Sequence, residues 1–363
     1  MNAAAGVLAI ALLGLVQDRP AGPLVSPEVL SDRRVTFRLR APQAQKVQLA
    51  GEWGGPPQAM TKDDQGVWSL TVGPLEPDVW GYNFLLDGFA IPDPANAALK
   101  PMRSPRTSVL EVPGDPPRLH EFQKVPHGTV RLHEYESKAL GRRRPLRVYT
   151  PPGYDRAADT RYPVLYLFHG SGDNEATWTS FGHAHWIADN LIAQGKAKPM
   201  ILVMPDGHAV VGPEAREKNL PGFVEDLIGD VIPWVESNYR VLADPAHRGI
   251  VGLSMGGGQS LVGGLNHLEL FAWVGGFSAA IRDPETTVAS ALADPAKTNA
   301  RLRLLYLACG KDDRLVDNAK TLSQALTQRE IRHDLRITEG NHSWPVWRKY
   351  LADFLPLLFL ESK

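Results

Sequence analysis

The chain has 363 residues, enough for two domains of ordinary size or one large domain with an appendage. Its 39 basic and 40 acidic residues leave a formal net charge of -1, so the charge balance gives no reason to expect a polyanion such as nucleic acid as a partner. Cys309 is the only cysteine; that excludes an intrachain disulfide and a cysteine-rich zinc site, and its place after the apolar run Leu304 to Ala308 marks a buried thiol.

Residues 3–16 form an uncharged apolar run followed by Gln17-Asp18-Arg19-Pro20. The run is short for a bilayer span and suits the apolar part of a secretory signal. Residues 1–20 are therefore read as a signal peptide, with a secreted or periplasmic location. An N-terminal membrane anchor or a misplaced start codon is the alternative, and no other stretch is apolar enough to span a membrane.

From about Arg33 the apolar residues alternate: Val35, Phe37 and Leu39, then Val47 and Leu49, then Trp68, Leu70 and Val72, then Trp80, Tyr82, Phe84 and Leu86. Period-two runs parted by Pro, Gly and Asp clusters predict a small immunoglobulin-like β-sandwich over residues 21–113. The text Ala41 to Leu49, Gly66-Val67-Trp68-Ser69, and Tyr82 to Gly88 with Asp93-Pro94 resembles the early-set modules grouped with the family 48 carbohydrate-binding modules (CBM48). Starch-binding members of that family stack glucose on a pair of exposed tryptophans. Here Phe89 follows Asp87-Gly88, and the loop after Gly51 offers only Trp53. Trp68, Trp80 and Tyr82 fall within the alternating pattern and read as core or interface. The module is expected to pack on the domain that follows rather than to bind a polysaccharide independently.

Residues 114–124, rich in Pro and charge, read as a linker, and residues 125–363 as the second domain. Thr129 to Tyr135 and Arg144 to Thr150 are candidate antiparallel strands about a basic turn, Gly141-Arg142-Arg143-Arg144, whose arginines are expected in solvent. From Tyr162 short apolar runs alternate with helical stretches. The runs are Pro163 to Phe168, Met200 to Met204, Gly249 to Gly252, Ala272 to Phe277, Leu302 to Ala308 and Leu335 to Thr338. Helices are expected near His185 to Gln194, Phe223 to Tyr239, Gly256 to Leu268, Asn318 to Arg329 and Pro345 to Leu355. Alternating text with continuously apolar strands implies an α/β domain, a mostly parallel sheet with helices on both faces.

Within that text, Gly252-Leu253-Ser254-Met255-Gly256 has the glycines that a sharp strand-to-helix turn needs on either side of an exposed serine. An acyl-transfer serine also needs a base, an acid to orient that base, and N–H groups for the oxyanion. After Ser254 the strand text Leu307 to Gly310 opens into Lys311-Asp312-Asp313-Arg314. Glu339-Gly340-Asn341-His342-Ser343-Trp344 then follows the last strand and precedes the final helix. Ser, Asp, His is the α/β-hydrolase order, and of the 11 histidines only His342 has this post-strand place. Asp312 and Asp313 both suit the acid. One oxyanion N–H belongs to Met255, the residue after the nucleophile, and the second to the loop Tyr166 to Gly172, where His169 reads as a support. His183 and His185 with His208 lack the spacing and partners of a zinc site; they read as surface or loop histidines, and no metal or cofactor is expected. Trp178, Phe181 and Trp344 are placed to wall a ring-shaped acyl group, whereas Trp347, at helical spacing, reads as packing.

Residues 162–360 resemble carbohydrate esterase family 1, which holds feruloyl and acetyl-xylan esterases, and are similar to enterochelin esterases and mycolyltransferases. The shared text is Leu167 to Gly170, Ile201 to Gly207, Ile232 to Tyr239, the serine turn, and His342 to Trp347. The resemblance implies a cofactor-free serine esterase with an α/β-hydrolase fold. Ser254 is then the nucleophile and His342 the base. Asp313 becomes the acid, since the family acid stands third after the strand-ending Gly310, and the backbone N–H of Ser171 becomes the second oxyanion donor. Feruloyl or acetyl esters on plant polysaccharide, met as a small ester or an esterified oligosaccharide, are the implied substrates. A siderophore esterase is the alternative, and a non-catalytic carbohydrate-binding protein is the alternative of another class. Residues 171–181 and 341–347 contain no Lys or Arg, which favours an aromatic acyl group of little charge over an anionic iron-loaded siderophore.

Overall fold

The computed structural model describes residues 23–360, so the signal peptide expected at residues 1–20 lies outside the described residues. The larger domain is built on one eight-stranded sheet: β1 (Thr129–Ser137), β2 (Arg142–Thr150), β3 (Val164–Phe168), β4 (Ile201–Pro205), β5 (Arg248–Gly252), β6 (Trp273–Phe277), β7 (Leu304–Gly310) and β8 (Asp334–Thr338). Its order is β1-β2-β4-β3-β5-β6-β7-β8. β1 and β2 form an antiparallel hairpin and β2 runs antiparallel to β4, while every other neighbouring pair is parallel. This is the α/β-hydrolase arrangement.

The central strands are apolar on both faces because helices cover both. Tyr166, Phe168, Ile250 and Val274 pack on one side with Leu261 and Leu265 of the helix Met255–Asn266. Leu165, Leu167, Val251 and Phe277 pack on the other with Ile187 of Ala184–Ala193 and Leu351 of Trp344–Phe354. Alternation along each strand thus feeds two cores from one sheet. The register Val164↔Arg248 to Phe168↔Gly252 sets β3 in step with β5, and their following loops emerge side by side at the carboxyl edge.

Two local expectations are corrected. The helix expected over 223–239 begins at Ala215 and reaches Asn238 through a π-helical turn at Leu227–Val231; Pro221 and the charged residues of its first turns hide it from an apolar-period reading. The hairpin arginines are not all in solvent either. Arg144 lies within β2, is 2% exposed, and sets Nη1 3.1 Å from the equally buried carboxylate of Asp226, which Tyr135 also meets with its hydroxyl. The sequence alternation of β2 turns Arg144 toward the helix Ala215–Asp226, where a buried charge requires a partner.

Residues 28–112 form two antiparallel sheets, one around Val35–Arg40 and Val67–Val72, the other around Val47–Gly51 and Asp78–Leu86. Phe37, Leu49, Phe84 and Leu110 fill the space between them together with Trp68 and Tyr82. Phe89 stands 77% exposed. Arg348, buried in the helix Trp344–Phe354, donates from Nε to Asp78 at 2.9 Å and also to the Val79 carbonyl, joining this region to the hydrolase domain. The connecting residues are pinned as well: Asn190 donates to the Leu119 and Glu121 carbonyls at 2.8 and 3.0 Å.

Candidate active site

Ser254 sits between β5 and the helix Met255–Asn266 with φ 53° and ψ −114°, a conformation that residues bearing a Cβ avoid. The flanking glycines are required by contact. A Cβ on Gly252 would lie 2.5 Å from the Gly256 backbone, and one on Gly256 would lie 2.4 Å from the His169 carbonyl oxygen. The turn is braced by Ser254 N–H donating to the Phe277 carbonyl and Ala280 N–H donating to the Ser254 carbonyl, both at 2.8 Å.

His342 follows β8, and its Nε2 lies 3.0 Å from Ser254 Oγ. Its Nδ1 lies 3.0 and 2.9 Å from the two carboxylate oxygens of Asp313. A carboxylate accepts only, so Nδ1 carries the proton and Nε2 turns its lone pair to the serine hydroxyl. Asp313 is buried, which would raise its carboxyl, yet the hydrogen bonds from His342, the Leu315 N–H and Ser278 outweigh burial and hold it below the usual range. Asp312 is exposed, and its N–H donates to the Gly340 carbonyl at 3.1 Å. Of the two candidate acids the loop therefore brings Asp313, not Asp312, to the imidazole. Trp347 packs edge-on against His342 with centroids 4.9 Å apart and donates from Nε1 to Ser278 Oγ at 3.0 Å. Cys309 is fully buried beside them, and burial with the neighbouring Asp313 charge pushes its thiol up to about 12.

Ser254, His342 and Ser171 share one cleft of about 380 Å³. Met255 follows Ser254 as the first residue of its helix. Gly170 brings its backbone close to the serine turn: a Cβ there would press on Leu253 Cδ1 at 2.7 Å, which would have to shift, and lie 3.4 Å from Ser254 Cβ. A larger cavity of about 710 Å³ lies between Asp244 and Arg303, at the opposite, amino edge of β6 and β7; it is remote from the serine and histidine, so the smaller cleft is the one with chemistry.

The aromatic wall is misplaced in the sequence reading. Trp178 and Phe181 are 1% and 0% exposed and do not reach the cleft. They pack on Trp344, with centroids 4.9 and 5.6 Å away, and Trp178 spends its Nε1–H on the Phe168 carbonyl at 2.9 Å. Trp344 borders the cleft but is itself 1% exposed. Above this cluster lies Lys100 from the N-terminal region, its Nζ 4.9 Å from the Phe181 centroid and 5.5 Å from that of Trp344. Glu52, Lys100 and Met102 line the cleft with Asp173 and Arg314 of the hydrolase domain. The expectation of a site without Lys or Arg is thereby overturned. That reading rests on residues 171–181 and 341–347 alone; Arg314 comes from the loop that bears Asp313, and Lys100 arrives from another domain.

His183 and His208 lie in loops, one of the two places expected of them, but are buried rather than at the surface. Among the described residues one group is spaced to share a metal ion: His169, Asp206 and His208, with ligand atoms within 4.8 Å. Both ring nitrogens of His169 are already engaged. Nδ1 lies 2.8 Å from the Gly170 carbonyl, and Gly207 N–H donates to Nε2 at 2.8 Å. Asp206 Oδ1 accepts the His208 N–H at 3.0 Å. The group ties the loops after β3 and β4 together, which suits a support rather than a ligand set.

The Esterase family model matches residues 137–358, more than half of the chain. An endo-1,4-beta-xylanase/feruloyl esterase of Xylanibacter ruminicola is 31% identical over 347 residues, covering 92% of this chain and 46% of the relative. The chain thus spans about half the length of that curated relative. A CE1 ferulic acid esterase from Anaeromyces mucronatus, solved in complex with ferulic acid, superposes with TM-score 0.59 at 25% identity over 66% of this chain and 93% of that one. The enterobactin esterase of Shigella flexneri gives TM-score 0.64 at 19% identity over 88% of this chain and 92% of that one, a likeness of fold that extends over both domains. Among the described residues no helix is long and apolar enough to cross a membrane.

Proposed function

Because the chain belongs to the Esterase family, we propose that it is a serine carboxylic-ester hydrolase that removes feruloyl, or acetyl, groups from plant cell-wall polysaccharide. The observation that carries this reading is the unbroken hydrogen-bond chain from Asp313 through His342 to Ser254, open to a cleft at the carboxyl edge of the sheet. Ser254 Oγ attacks the ester carbonyl while His342 Nε2 takes its proton. Asp313 holds the imidazole in the productive tautomer and stabilises the imidazolium. The N–H groups of Ser171 and Met255 receive the charge that builds on the carbonyl oxygen. The intermediate then breaks its bond to the sugar oxygen, which takes the proton from His342 and departs as the hydroxyl, leaving an acyl group on Ser254. Water activated by the same imidazole releases the acid and restores the serine.

The name of the Xylanibacter ruminicola relative supports the feruloyl and polysaccharide part of the assignment. A cleft of about 380 Å³ is within the usual size for a small acyl ligand. A siderophore esterase is the second reading, favoured by Lys100 and Arg314 at the cleft. Against it, Lys100 is already compensated by Asp173 and Glu52 at 3.3 and 3.7 Å. Secretion or export to the periplasm is part of the proposal and rests on the apolar run at residues 3–16.

Hydrolysis of methyl ferulate, acetylated xylan and ferric enterobactin by the full chain and by Ser254→Ala tests the whole reading. Methyl ferulate should give the highest kcat/KM, and Ser254→Ala should lose on the order of 10⁶ in turnover while staying folded. Equal or faster cleavage of the siderophore reverses the substrate ranking. Activity surviving in a folded Ser254→Ala overturns the mechanism.

A further inference from the structure

The stretch Leu99 to Arg103 is anchored in the N-terminal β region, where Lys100 N–H donates to the Thr107 carbonyl at 2.9 Å and Leu99 bridges to Ser108. Its far side is paired with the loop after β3. Met102 forms an antiparallel bridge to Asp173, Arg103 N–H donates to the Gly172 carbonyl at 2.9 Å, and Thr177 Oγ1 donates to the Pro101 carbonyl at 2.7 Å. The loop that carries Ser171 is therefore held from one side by backbone belonging to the other domain.

The side chains add a charge argument. The Lys100 ammonium lies 3.3 Å from Asp173, with both side chains under a tenth exposed, and 3.7 Å from Glu52. Burial pushes the Asp173 carboxyl up, and Lys100 is the largest influence pulling it back down. Asp173 Oδ2 stands 3.7 Å from the place a Cβ would take on Gly170, a place itself 3.4 Å from Ser254 Cβ. A bare carboxylate so near the nucleophile would oppose negative charge building on the substrate oxygen, and a buried charge is screened less than an exposed one.

We propose that Lys100 is a positioning residue through which the N-terminal region completes the oxyanion site: it neutralises Asp173 and, with the bridge at Met102 and Arg103, fixes the loop that bears Ser171. The proposal rests on the serine-esterase reading of Ser254 and Ser171. It makes the N-terminal region a working part of the hydrolase rather than an appended sugar-binding unit.

The test is steady-state kinetics of the full chain on p-nitrophenyl acetate and methyl ferulate, with folding checked by circular dichroism. Lys100→Met should lower kcat about 10- to 100-fold on both esters alike, somewhat less than loss of an oxyanion donor, with KM changed by less than about threefold. Lys100→Arg should keep most of the activity. Lys100→Met/Asp173→Asn, which removes both charges, should regain most of the lost kcat, a recovery that mere loss of packing would not permit. Where Lys100→Met does not fold, Lys100→Gln keeps a donor for Asp173 without the charge and should show the same fall in kcat. A folded Lys100→Met or Lys100→Gln with wild-type kcat overturns the proposal, as does a double variant no faster than Lys100→Met. A loss confined to KM for methyl ferulate also overturns it, because Lys100 would then be holding the acyl group. If the wild type cleaves neither ester, the esterase reading itself has failed and takes the proposal with it.

Discussion

Asp313→Asn is the sharpest single perturbation of the site. The carboxylate faces His342 Nδ1 with both oxygens, at 3.0 and 2.9 Å, and also accepts the Leu315 N–H at 2.8 Å. An asparagine of the same shape can keep the Leu315 bond through its carbonyl, which leaves its NH₂ facing Nδ1. That geometry suits the tautomer with the proton on Nε2, and such an imidazole cannot take the proton of Ser254. In a comparable triad the same exchange costs about 10⁴ in kcat, or about 5.4 kcal/mol of transition-state stabilisation. Packing should hardly change, because the substitution conserves volume and the Leu315 bond. Asp312→Asn is the control: that side chain is exposed and away from the imidazole, so its kcat should stay within about threefold of wild type, as for most surface substitutions. Initial rates on p-nitrophenyl acetate, with thermal unfolding run on the same samples, separate the two. Activity of Asp313→Asn within tenfold of wild type, or a crippled Asp312→Asn, would refute the reasoning.

Trp344→Ala should cost about 3–5 kcal/mol of stability, as for other enclosed aromatics, because Trp344 is 1% exposed beneath Lys100 and between Trp178 and Trp347. Urea unfolding checks this, and an unchanged midpoint would mean that the ring is open to the cleft after all. Gly256→Ala should lose about 1–3 kcal/mol from overpacking and most of the activity, since the new Cβ would meet the His169 carbonyl at 2.4 Å; a fully active, equally stable variant would show that the turn can relax. With its thiol near 12, Cys309 should be ionised in only about 1 molecule in 10⁴ at pH 8, so iodoacetamide should label it in urea and not in the native state. Rapid native labelling, followed by mass spectrometry, would contradict that burial.

What the sequence disclosed and what it withheld divide along a physical line. The serine turn was legible because part of its requirement is local: the Gly252 backbone approaches that of Gly256 within five residues, although the demand for glycine at 256 comes from the His169 carbonyl of another loop. The order of Ser254, Asp313 and His342 was legible because the first two follow apolar runs that form buried strands and His342 follows the half-exposed edge strand Asp334–Thr338, and parallel strands end at a common edge. The choice between Asp312 and Asp313 needed more, since it depends on which way a loop turns by one residue. Nearness in sequence misled for Trp178 and Phe181. Both lie close to the loop after β3, but an indole that gives its N–H to Phe168 and a ring capped by Lys100 face the core.

Lys100 carries no local sign of its place, because its partner Asp173 belongs to the other domain and the contact exists only once both have folded. That contact also changes how substrate charge is to be argued. With residues 171–181 and 341–347 alone, which hold no Lys or Arg, the cleft reads as hostile to an anionic ester. The assembled cleft holds Lys100 and Arg314 against Glu52 and Asp173, two cations against two carboxylates. Capturing a multiply anionic ligand takes an excess of positive charge, and a balanced set supplies none beyond short range. The preference for an aromatic ester of little charge therefore stands on compensation rather than on absence. It should weaken if the balance is tipped: Glu52→Gln, which leaves the Lys100–Asp173 pair in place, should raise the efficiency on ferric enterobactin relative to methyl ferulate by about tenfold if that one charge is worth about 1.4 kcal/mol to the anion. A ratio that does not move would mean that the cleft's charge has no part in choosing the acyl group.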